Sequence, residues 1–494
     1  MQSPIIKIED WSNGVSLKGK GGTKQYKFSD NINGYQREGY LTQGQGKVNL
    51  SLSASNEIGE KIYSMLSTSE DANYYFGGTH AKLFMQATPN TITTEHTSSE
   101  TGTIQELIEY KGYMYYAQNT TIGRSDLNAP TYTDNWQTGL NNLPHPMCIS
   151  YDSSQLTDQN VYVGNGSHVD MISGTTYTTN VLDIPDGWTI RDIDNFGTQY
   201  IAIGADKNSP SGAIQAKIFI WDKLADTWND EIEVPEVNFQ AMFTAFNYLW
   251  FWAGDECNIY VVPIGSRTPT KMWDFYNPYP NSAFSVYRNA ITYKSGRIWF
   301  GLSGDSEEAV NITPMGIYSF PATSAKFDLN LEYRAPQNDI DITAISVMNV
   351  TSSFPIYFSY NFTNDDPTTN FDHNYLYRQY GLSNETFYLD EGYVETLEYQ
   401  APIGKKFQFD GIGIDTEPMV GGTIRIDYSL DNGVTWDTGV SITGVGNQGN
   451  FIYKVIETYT LILKITISGN SSRVPNFIKR VYVTGTEIND PRNG

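Results

Sequence analysis

Pairs of adjacent carboxylates are the first residues in this sequence that could do chemistry. Asp255 and Glu256 form one pair, and Glu307 and Glu308 form another. A glycosidase needs two positioned carboxyl groups, one acting as an acid and the other as a nucleophile or base. However, the chain contains 55 Asp and Glu residues, so adjacent pairs arise from their number alone. We therefore interpret both pairs as solvated loop carboxylates and assign no catalytic residue.

Side chains that bind metals or act as nucleophiles are scattered through the sequence. The five histidines share no HExxH pattern and no short metal-binding spacing. They are His80, His96, His145, His168 and His373. The segments 304–308 and 364–366 offer oxygen ligands for Ca²⁺, but without the alternating carboxylate spacing of a dedicated loop. The Gly-Leu-Ser-Gly stretch at 301–304 is not a GxSxG elbow, and we expect it to lie in a turn of a blade. We therefore predict no metal site, no cofactor and no catalytic nucleophile.

The sharpest motif is Ser-Leu-Asp-Asn-Gly-Val-Thr-Trp at 429–436. It fits the pattern Ser-x-Asp-x-Gly-x-Thr-Trp and resembles the Asp box of sialidases, in which Asp and Gly shape a hairpin turn above the aromatic residue. The resemblance implies a turn that stabilises the fold and has no catalytic role. A sialidase repeats the box in several blades, whereas this sequence has one copy. The motif therefore predicts a hairpin and argues against a sialidase.

A repeat of short aromatic strands runs through the middle of the chain. Each copy has an alternating strand that ends at Gly or another small residue, then a turn and a second strand, as at 248–254 and 257–262. The residues just before the small residue mark seven copies. They are Phe76, Tyr116, Val163, Ile203, Trp252, Phe300 and Phe358. A period of about 40–50 residues with three or four short strands is typical of a propeller blade.

The repeat predicts the fold of residues 51–380. A lone four-stranded sheet cannot bury both of its faces, whereas blades packed face to face around an axis can. We therefore expect an all-β chain in which these residues form a β-propeller of about seven blades. A count of six or eight blades is an alternative, because the copy around Phe358 is degraded. An irregular array of β-sandwiches is the alternative to a propeller.

The two ends of the chain differ from the repeat. Residues 1–50 are rich in Gly and polar residues, and we expect an extended strap that closes the ring or reaches into a neighbouring subunit. Residues 381–494 contain strictly alternating strands, such as Thr-Ile-Arg-Ile-Asp-Tyr-Ser at 423–429, followed by an Asp-Asn-Gly turn. Such alternation marks antiparallel hairpins. We expect this region to form a C-terminal β-sandwich.

The two ends also carry a resemblance to a known class of proteins. Trp-Ser-Asn-Gly-Val at 11–15, Gly-Tyr-Leu-Thr-Gln-Gly at 39–44, Gly-Lys-Lys-Phe at 404–407 and the segment 426–436 frame the predicted propeller. Together they resemble the propeller-type tail and nozzle proteins of tailed bacteriophages. The resemblance implies a structural, non-enzymatic virion protein, assembled in the host cytoplasm. It implies a homo-oligomeric ring below the portal that contacts portal, adaptor or tail components and lets DNA pass without specific binding.

The chain is strongly acidic, with a net charge of −23. Lys and Arg bind phosphate backbones by displacing counterions, so specific nucleic-acid binding is not expected. Two interpretations stay open: an acidic wall that lets DNA slide past, or acidity that keeps a large protein in solution. The sequence does not open with a basic segment and an apolar core, and it has no run of ~18 apolar residues. We therefore predict no signal peptide and no membrane-spanning segment.

Two other functions compete with the structural one. The first is a carbohydrate-binding receptor adhesin of the tail, and the second is a propeller glycosidase. Trp136, Trp228 and Trp273 follow predicted loops and could stack on sugar rings, although packing between blades is the alternative. The adhesin and glycosidase interpretations require exposed aromatic or positioned carboxylate groups, whereas the structural one predicts assembly without turnover.

Overall fold

The computed structural model describes most of the chain. The described residues are 4–9, 26–30, 32–33, 40–43, 47–50, 60–88, 91–142, 144–151, 158–209, 212–275, 283–305, 315–323, 327–335, 339–348, 355–362, 373–379, 391–431, 433–470 and 475–490. These residues form antiparallel strands, and the one short 3-10 helix found among them spans Arg288–Ala290. The prediction of an all-β chain is confirmed.

Seven antiparallel sheets, which we number ring sheets 1 to 7, follow one another along the middle of the chain. Ring sheet 1 contains Ile62–Ser67, Tyr74–Gly78, Lys82–Thr88 and Thr91–Thr97. Ring sheet 2 contains Ile104–Tyr110, Tyr113–Gln118, Thr121–Asp126 and Tyr132–Thr138. Ring sheet 3 contains Met147–Tyr151, Gln159–Asn165, His168–Ser173 and Thr176–Asp183. Ring sheet 4 contains Trp188–Phe196, Tyr200–Ser209, Gly212–Trp221 and Asp230–Glu233.

The other three ring sheets follow the same up-and-down order. Ring sheet 5 contains Phe239–Ala245, Tyr248–Ala253, Asn258–Pro263 and Thr270–Trp273. Ring sheet 6 contains Ile291–Lys294, Arg297–Asp305, Gly316–Pro321 and Asn330–Arg334, and the short strands Phe284–Ser285 and Asp339–Ile340 pair with the far end of Arg297–Asp305. Ring sheet 7 contains Ile345–Val347, Ile356–Phe362, His373–Gln379 and Lys47–Leu50.

The ring sheets surround a common axis. The first-named strand of each sheet contacts the first-named strand of the next, from ring sheet 1 through to ring sheet 7, and the strand Ile345–Val347 of ring sheet 7 contacts Ile62–Ser67 of ring sheet 1. Hydrophobic clusters fill the spaces between successive sheets. This arrangement is a β-propeller, in which each sheet buries its faces against its neighbours.

The marker residues of the repeat occupy equivalent places. All seven lie in the second-named strand of their ring sheets, and all are fully buried. The small residue that follows them has a packing role. A Cβ added at Gly204 would lie 2.2 Å from the ring of Phe239 in the next sheet, and one at Gly301 would lie 2.3 Å from Ile342. Glycine is therefore needed where a side chain from the next sheet meets the strand.

The strap closes the ring within the same chain. Lys47–Leu50 is the outermost strand of ring sheet 7, with Leu50 opposite Leu376 and Lys47 opposite Gln379. Leu50 is fully buried in the hydrophobic cluster between ring sheets 7 and 1. Ring sheet 7 is thus built from one strand that precedes the other ring sheets in sequence and three strands that follow them. Hydrogen bonds and apolar packing hold these strands together.

Two further six-stranded sheets contain the C-terminal residues together with the rest of the described strap. The first C-terminal sheet contains Ile32–Asn33, Leu41–Gln43, Phe477–Asn489, Lys405–Thr416 and Gly449–Thr458, with Pro4–Ile8 paired to Phe477–Asn489. The second contains Tyr26–Asp30, Gly392–Thr396, Thr460–Ser468, Thr423–Ser429 and Asp437–Thr443, with Tyr399–Gln400 paired to Thr460–Ser468.

The two C-terminal sheets share one hydrophobic core. Ile6 and Ile8 from the strap are buried beside Ile412 and Ile414 of the first sheet, and they face residues such as Ile465 of the second. The strand Tyr26–Asp30 also contacts Asn330–Arg334 of ring sheet 6, so this part of the chain packs against the propeller. The strap therefore belongs to both parts of the fold.

Candidate functional site

Charged side chains gather at the axis of the propeller. Two cavities of about 360 and 380 Å³ lie along it. Both are lined by Glu106, Arg288 and Asn289. Arg288 and Asn289 belong to the short 3-10 helix that precedes the inner strand of ring sheet 6. This turn projects both side chains toward the axis, between the two cavities.

Arg288 joins three other ring sheets through its guanidinium group. Its Nε lies 3.0 Å from Oδ1 of Asp192 in ring sheet 4, and its Nη1 lies 3.5 Å from Oε2 of Glu106 in ring sheet 2. Its Nη2 donates a hydrogen bond to the carbonyl oxygen of Met147 in ring sheet 3. A planar guanidinium with several fixed donors is suited to such a junction. We call these residues, together with Asp194 and Asn289, the Arg288 cluster.

The carboxylates of the cluster are also fixed by backbone donors. The amide of Met242 in ring sheet 5 donates to Asp192 at 2.7 Å, and the amide of Thr244 donates to Asp194 at 2.5 Å. Asn289 Nδ2 donates to the carbonyl oxygen of Tyr63 at 3.1 Å and to that of Gln105 at 2.6 Å. The Arg288 cluster thus connects ring sheets 1 to 6 at the axis.

Burial changes the protonation of these carboxyl groups. Burial raises the pKa of Glu106 to about 7, and the nearby Arg288 only partly opposes this effect. Burial likewise raises the pKa of Asp192 to about 7, against the influence of Arg288 and of the Met242 amide. The pKa of Asp194 is also raised by burial. Desolvation favours the neutral acid because a carboxylate loses its hydration in the interior.

These shifts predict that the protein is less stable above pH 7 than at pH 5. The folded-state pKa values of Glu106 and Asp192 exceed their ordinary values, so the folded state binds more protons than the unfolded state across this interval. The stabilising contribution is complete below the unfolded values and is lost as the pH rises through about 7. We expect the free energy of unfolding to fall by on the order of a few kcal/mol, measured by urea denaturation at both pH values.

Glu106→Gln provides the control for this pH dependence. The amide cannot ionise, so the variant should show a smaller loss of stability between pH 5 and pH 8 than the unaltered chain. Glu487→Gln, which alters a carboxylate on the surface beside Lys405, should leave the pH dependence unchanged. An equal slope in all three proteins would contradict the assignment of the titration to the Arg288 cluster.

The geometry of the Arg288 cluster does not suit glycoside hydrolysis. A glycosidase holds its two carboxyl groups on opposite sides of the bond that is cleaved. Glu106 and Asp192 instead face the same guanidinium, which stands where a sugar would have to lie. The cluster therefore acts as a cross-link between ring sheets. No sequence pattern singled it out beforehand; the available signal was the presence of acidic residues among the apolar residues of the strands Ile104–Tyr110 and Trp188–Phe196.

The carboxylate pairs proposed from the sequence are not part of this site. Asp255 lies in a turn after the strand Tyr248–Ala253 and accepts a hydrogen bond from Asn238 Nδ2 at 3.1 Å. The pair Glu307 and Glu308, and the segment 364–366, lie outside the described residues. The Gly-Leu-Ser-Gly stretch at 301–304 lies within the strand Arg297–Asp305, where Ser303 is buried, and not in a turn.

The described histidine side chains are separated from one another. His96 contacts Asp134 at 2.7 Å and stacks on Tyr132, while His145 is buried between the carbonyl oxygens of Gly164 and Asn119. His80 contacts Glu60, His168 contacts Asp183, and the side chain of His373 lies outside the described atoms. Within the described parts of the chain, no group of three or more His, Cys, Asp and Glu residues could hold a metal ion.

The Asp box forms the hairpin turn that the sequence predicts. Asp431 accepts hydrogen bonds from the backbone amide of Thr435 at 2.9 Å and from its hydroxyl at 2.6 Å, and Ser429 Oγ donates to Asp431 at 2.8 Å. These bonds lower the pKa of Asp431 to about 2. The backbone of Gly433 has a positive φ of 88°, which favours glycine. The side chains of the box bond to the turn itself.

The three tryptophans that could stack on sugars are half-buried and pack against other aromatic rings of the propeller. Trp136 lies 5.1 Å from the ring of Tyr115 and 5.9 Å from that of Tyr177 in the next sheet. Trp228 lies 5.3 Å from the ring of Phe219, and Trp273 lies 5.7 Å from that of Phe327. Packing within and between sheets is therefore the role that the structure gives these side chains.

Comparisons with known proteins give only a general likeness of fold. No family model and no curated protein sequence matches the chain. Among solved structures, the chain is similar to the Neurospora crassa Pan2 WD40 domain, with 10% identity and a TM-score of 0.41 over 67% of this chain and 92% of that one. It is also similar to the computationally designed Ika8 protein, with 9% identity and a TM-score of 0.40 over 71% of this chain and 97% of that one. At these scores neither structure bears on the function of the chain.

In the portion of the chain that the structure describes, no helix has the length and apolar character needed to cross a bilayer.

Proposed function

We propose that the chain is a non-enzymatic structural subunit of a bacteriophage tail that forms a homo-oligomeric ring around the DNA exit channel. The observation that carries this proposal is the Arg288 cluster, because it ties six ring sheets together at the axis. An axis held by internal ion pairs suits a rigid scaffold better than a site that exchanges substrates. The order of strap, propeller and C-terminal sheets is compatible with the resemblance to tail and nozzle proteins.

We also propose a finer architecture for this subunit. The seven ring sheets would be the seven blades of the propeller, and the two C-terminal sheets would be the layers of a β-sandwich, since they share one core. The strap would then fasten the sandwich and the closing blade to each other. Such a subunit can meet different neighbours at its two ends, as a ring between portal or adaptor proteins and the rest of the tail requires.

The net charge of −23 supports passage of DNA without binding. A ring of copies multiplies this charge, and an acidic wall repels phosphates over roughly a Debye length, ~8–10 Å in physiological salt. Because 55 Asp and Glu outnumber 32 Lys and Arg, few counterion-releasing contacts would hold the duplex. The acidic groups would then face the channel instead of being spread evenly over the outer surface.

Electron cryo-microscopy of purified phage particles that carry this gene tests the proposal. We expect several copies of the chain in a ring on the tail axis, with Asp and Glu outnumbering Lys and Arg on the channel wall. Immunogold labelling with an antibody against the chain should mark the tail of the same particles. Absence of the chain from purified particles would contradict the virion role. A neutral or basic channel wall would contradict only the proposed passage of DNA.

A further inference from the structure

The outer face of the first C-terminal sheet carries a row of aromatic side chains. Its inner face is buried in the shared core, so residues that alternate with the core residues point outward. In the register of the sheet, Lys7 lies opposite Tyr482, Tyr482 lies opposite Gly413, and Gly413 lies opposite Phe451. Tyr453 lies opposite the next outward residue, Gly411. The row therefore crosses four strands on one face.

The two glycines let the aromatic rings lie against the backbone. A Cβ at Gly413 would lie 2.3 Å from Cζ of Tyr482, and one at Gly411 would lie 2.4 Å from Cζ of Phe451. Any larger residue at either position would force the rings away from the sheet. The rings of Phe451 and Tyr482 are 19° from parallel, with centroids 6.0 Å apart. We call Phe451, Tyr453 and Tyr482 the aromatic platform.

The platform continues to an open edge of the sheet. The strand Gly449–Thr458 is the last strand of the first C-terminal sheet, and its Tyr453 and Val455 keep 85% and 73% of their surfaces exposed. The ring of Tyr453 stands edge-on to that of Phe451, with centroids 4.8 Å apart. Large apolar groups held at the surface in this way mark interaction sites.

A row of charged side chains runs beside the aromatic platform on the same face. Arg480 lies opposite Asp415 in the register and forms an ion pair with it. Nη1 of Arg480 also lies 3.9 Å from Oε1 of Glu9 in the strap. The Cζ atom of Arg480 lies 5.1 Å from the ring centroid of Tyr482. Donors and acceptors of hydrogen bonds are thus placed directly next to the aromatic rings.

We propose that the aromatic platform binds a glycan built of β-linked pyranoses in the gluco configuration. In such sugars the ring substituents are equatorial, so both ring faces present axial C–H groups that can pack on aromatic rings. The hydroxyl groups then project from the ring edge, where the carboxylates of Asp415 and Glu9 accept hydrogen bonds and Arg480 donates them. Two nearly parallel rings, with the exposed ring of Tyr453 standing edge-on beside them and charged groups along their border, match this pattern better than they match an all-apolar protein surface.

This inference does not rest on the proposed virion role. A tail subunit could lack the glycan site, and a glycan-binding protein need not belong to a phage. Binding measurements on the isolated chain test the glycan site, whereas localisation in particles tests the virion role. Either hypothesis can therefore be contradicted without the other. If both hold, the chain would contribute to contact with glycans of the host surface.

The test uses cellohexaose and chitohexaose as probes, titrated into the full chain by isothermal calorimetry. We expect binding that Tyr453→Ala weakens by about tenfold, the loss typical of one aromatic contact. Tyr453→Phe keeps the ring and should bind nearly as the unaltered chain does. Phe246→Ala, which removes another exposed aromatic side chain on the propeller, should leave the affinity unchanged. Because Tyr453 is so exposed, its substitution should not disturb folding.

Three results would overturn the proposal. The first is no binding of either hexasaccharide at millimolar concentration. The second is binding that Tyr453→Ala and Phe451→Ala leave intact, which would place the sugar elsewhere. The third is concentration-dependent self-association that Tyr453→Ala abolishes, measured by analytical ultracentrifugation without sugar, which would assign the platform to contact with a second copy of the chain.

Discussion

Arg288→Met is expected to lower the free energy of unfolding by about 3–5 kcal/mol at pH 8. The substitution keeps much of the side-chain volume but removes the guanidinium that Glu106 and Asp192 both face. Two buried carboxylates would then lack a counter-charge, and the carbonyl oxygen of Met147 would lose a donor. Urea denaturation followed by tryptophan fluorescence measures the loss, since several tryptophans are buried in the ring sheets.

The pH dependence of this variant distinguishes an electrostatic effect from simple loss of packing. At pH 5 the carboxyl groups of Glu106 and Asp192 are largely protonated, so the absence of the guanidinium should cost less than at pH 8. Arg267→Met is the matched control, because it breaks an ion pair with Asp230 in which both side chains are partly exposed. That variant should cost about 0–1 kcal/mol. Equal costs for Arg288→Met at both pH values would show that packing, not charge, is lost.

The repeat of the propeller was predictable because its packing leaves a local trace in the sequence. The second-named strand of a ring sheet carries a small residue where the next part of the ring packs against it, and Gly204 and Gly301 show why, since a Cβ there would collide with Phe239 or Ile342. A second local trace is the run of apolar residues in strands such as Tyr248–Ala253, which is buried almost throughout because both faces of the sheet are covered. Both depend on residues close together in the chain, so the period could be recognised without the structure.

The Arg288 cluster could not be predicted in the same way. Its members come from different ring sheets, and only the closed ring brings Glu106, Asp192 and Arg288 to one axis. The aromatic platform has the same origin, because Tyr482 and Phe451 meet across an intervening strand. A sequence shows that a strand is amphipathic, but it does not show which distant strand supplies the neighbouring side chain.

The strap illustrates this limit most clearly. Its Gly-rich composition indicated an extended segment. The composition could not show that Ile8 pairs with Val481 and Leu50 with Leu376, because these pairings depend on the register of whole sheets. Closing the ring and reaching into a neighbouring subunit were equally compatible with the sequence. For residues 47–50 the structure shows closure within the same chain.

Removal of residues 1–50 is expected to destabilise both the propeller and the C-terminal sheets. The deletion takes away the outer strand of ring sheet 7 and the strap strands of both C-terminal sheets. It also exposes the buried surfaces that Leu50, Ile6 and Ile8 cover. Truncation of one core Leu or Ile to Ala costs about 2–5 kcal/mol of folding free energy. The loss of several such side chains is therefore comparable with the whole free energy of unfolding of a typical domain. We expect an aggregating product, measured as loss of the soluble fraction on gel filtration.

Two single substitutions separate the contributions of the strap to the two parts of the fold. Leu50→Ala should lower hydrogen-exchange protection in Ile356–Phe362 and Ile62–Ser67, which flank the ring closure, because the cavity it leaves lies between ring sheets 7 and 1. Ile8→Ala should instead lower protection in Lys405–Thr416, because its side chain fills the core of the C-terminal sheets. Each substitution should leave the other region protected. If Leu50→Ala left ring sheets 7 and 1 as protected as before, the closing strand would not be what holds the ring together.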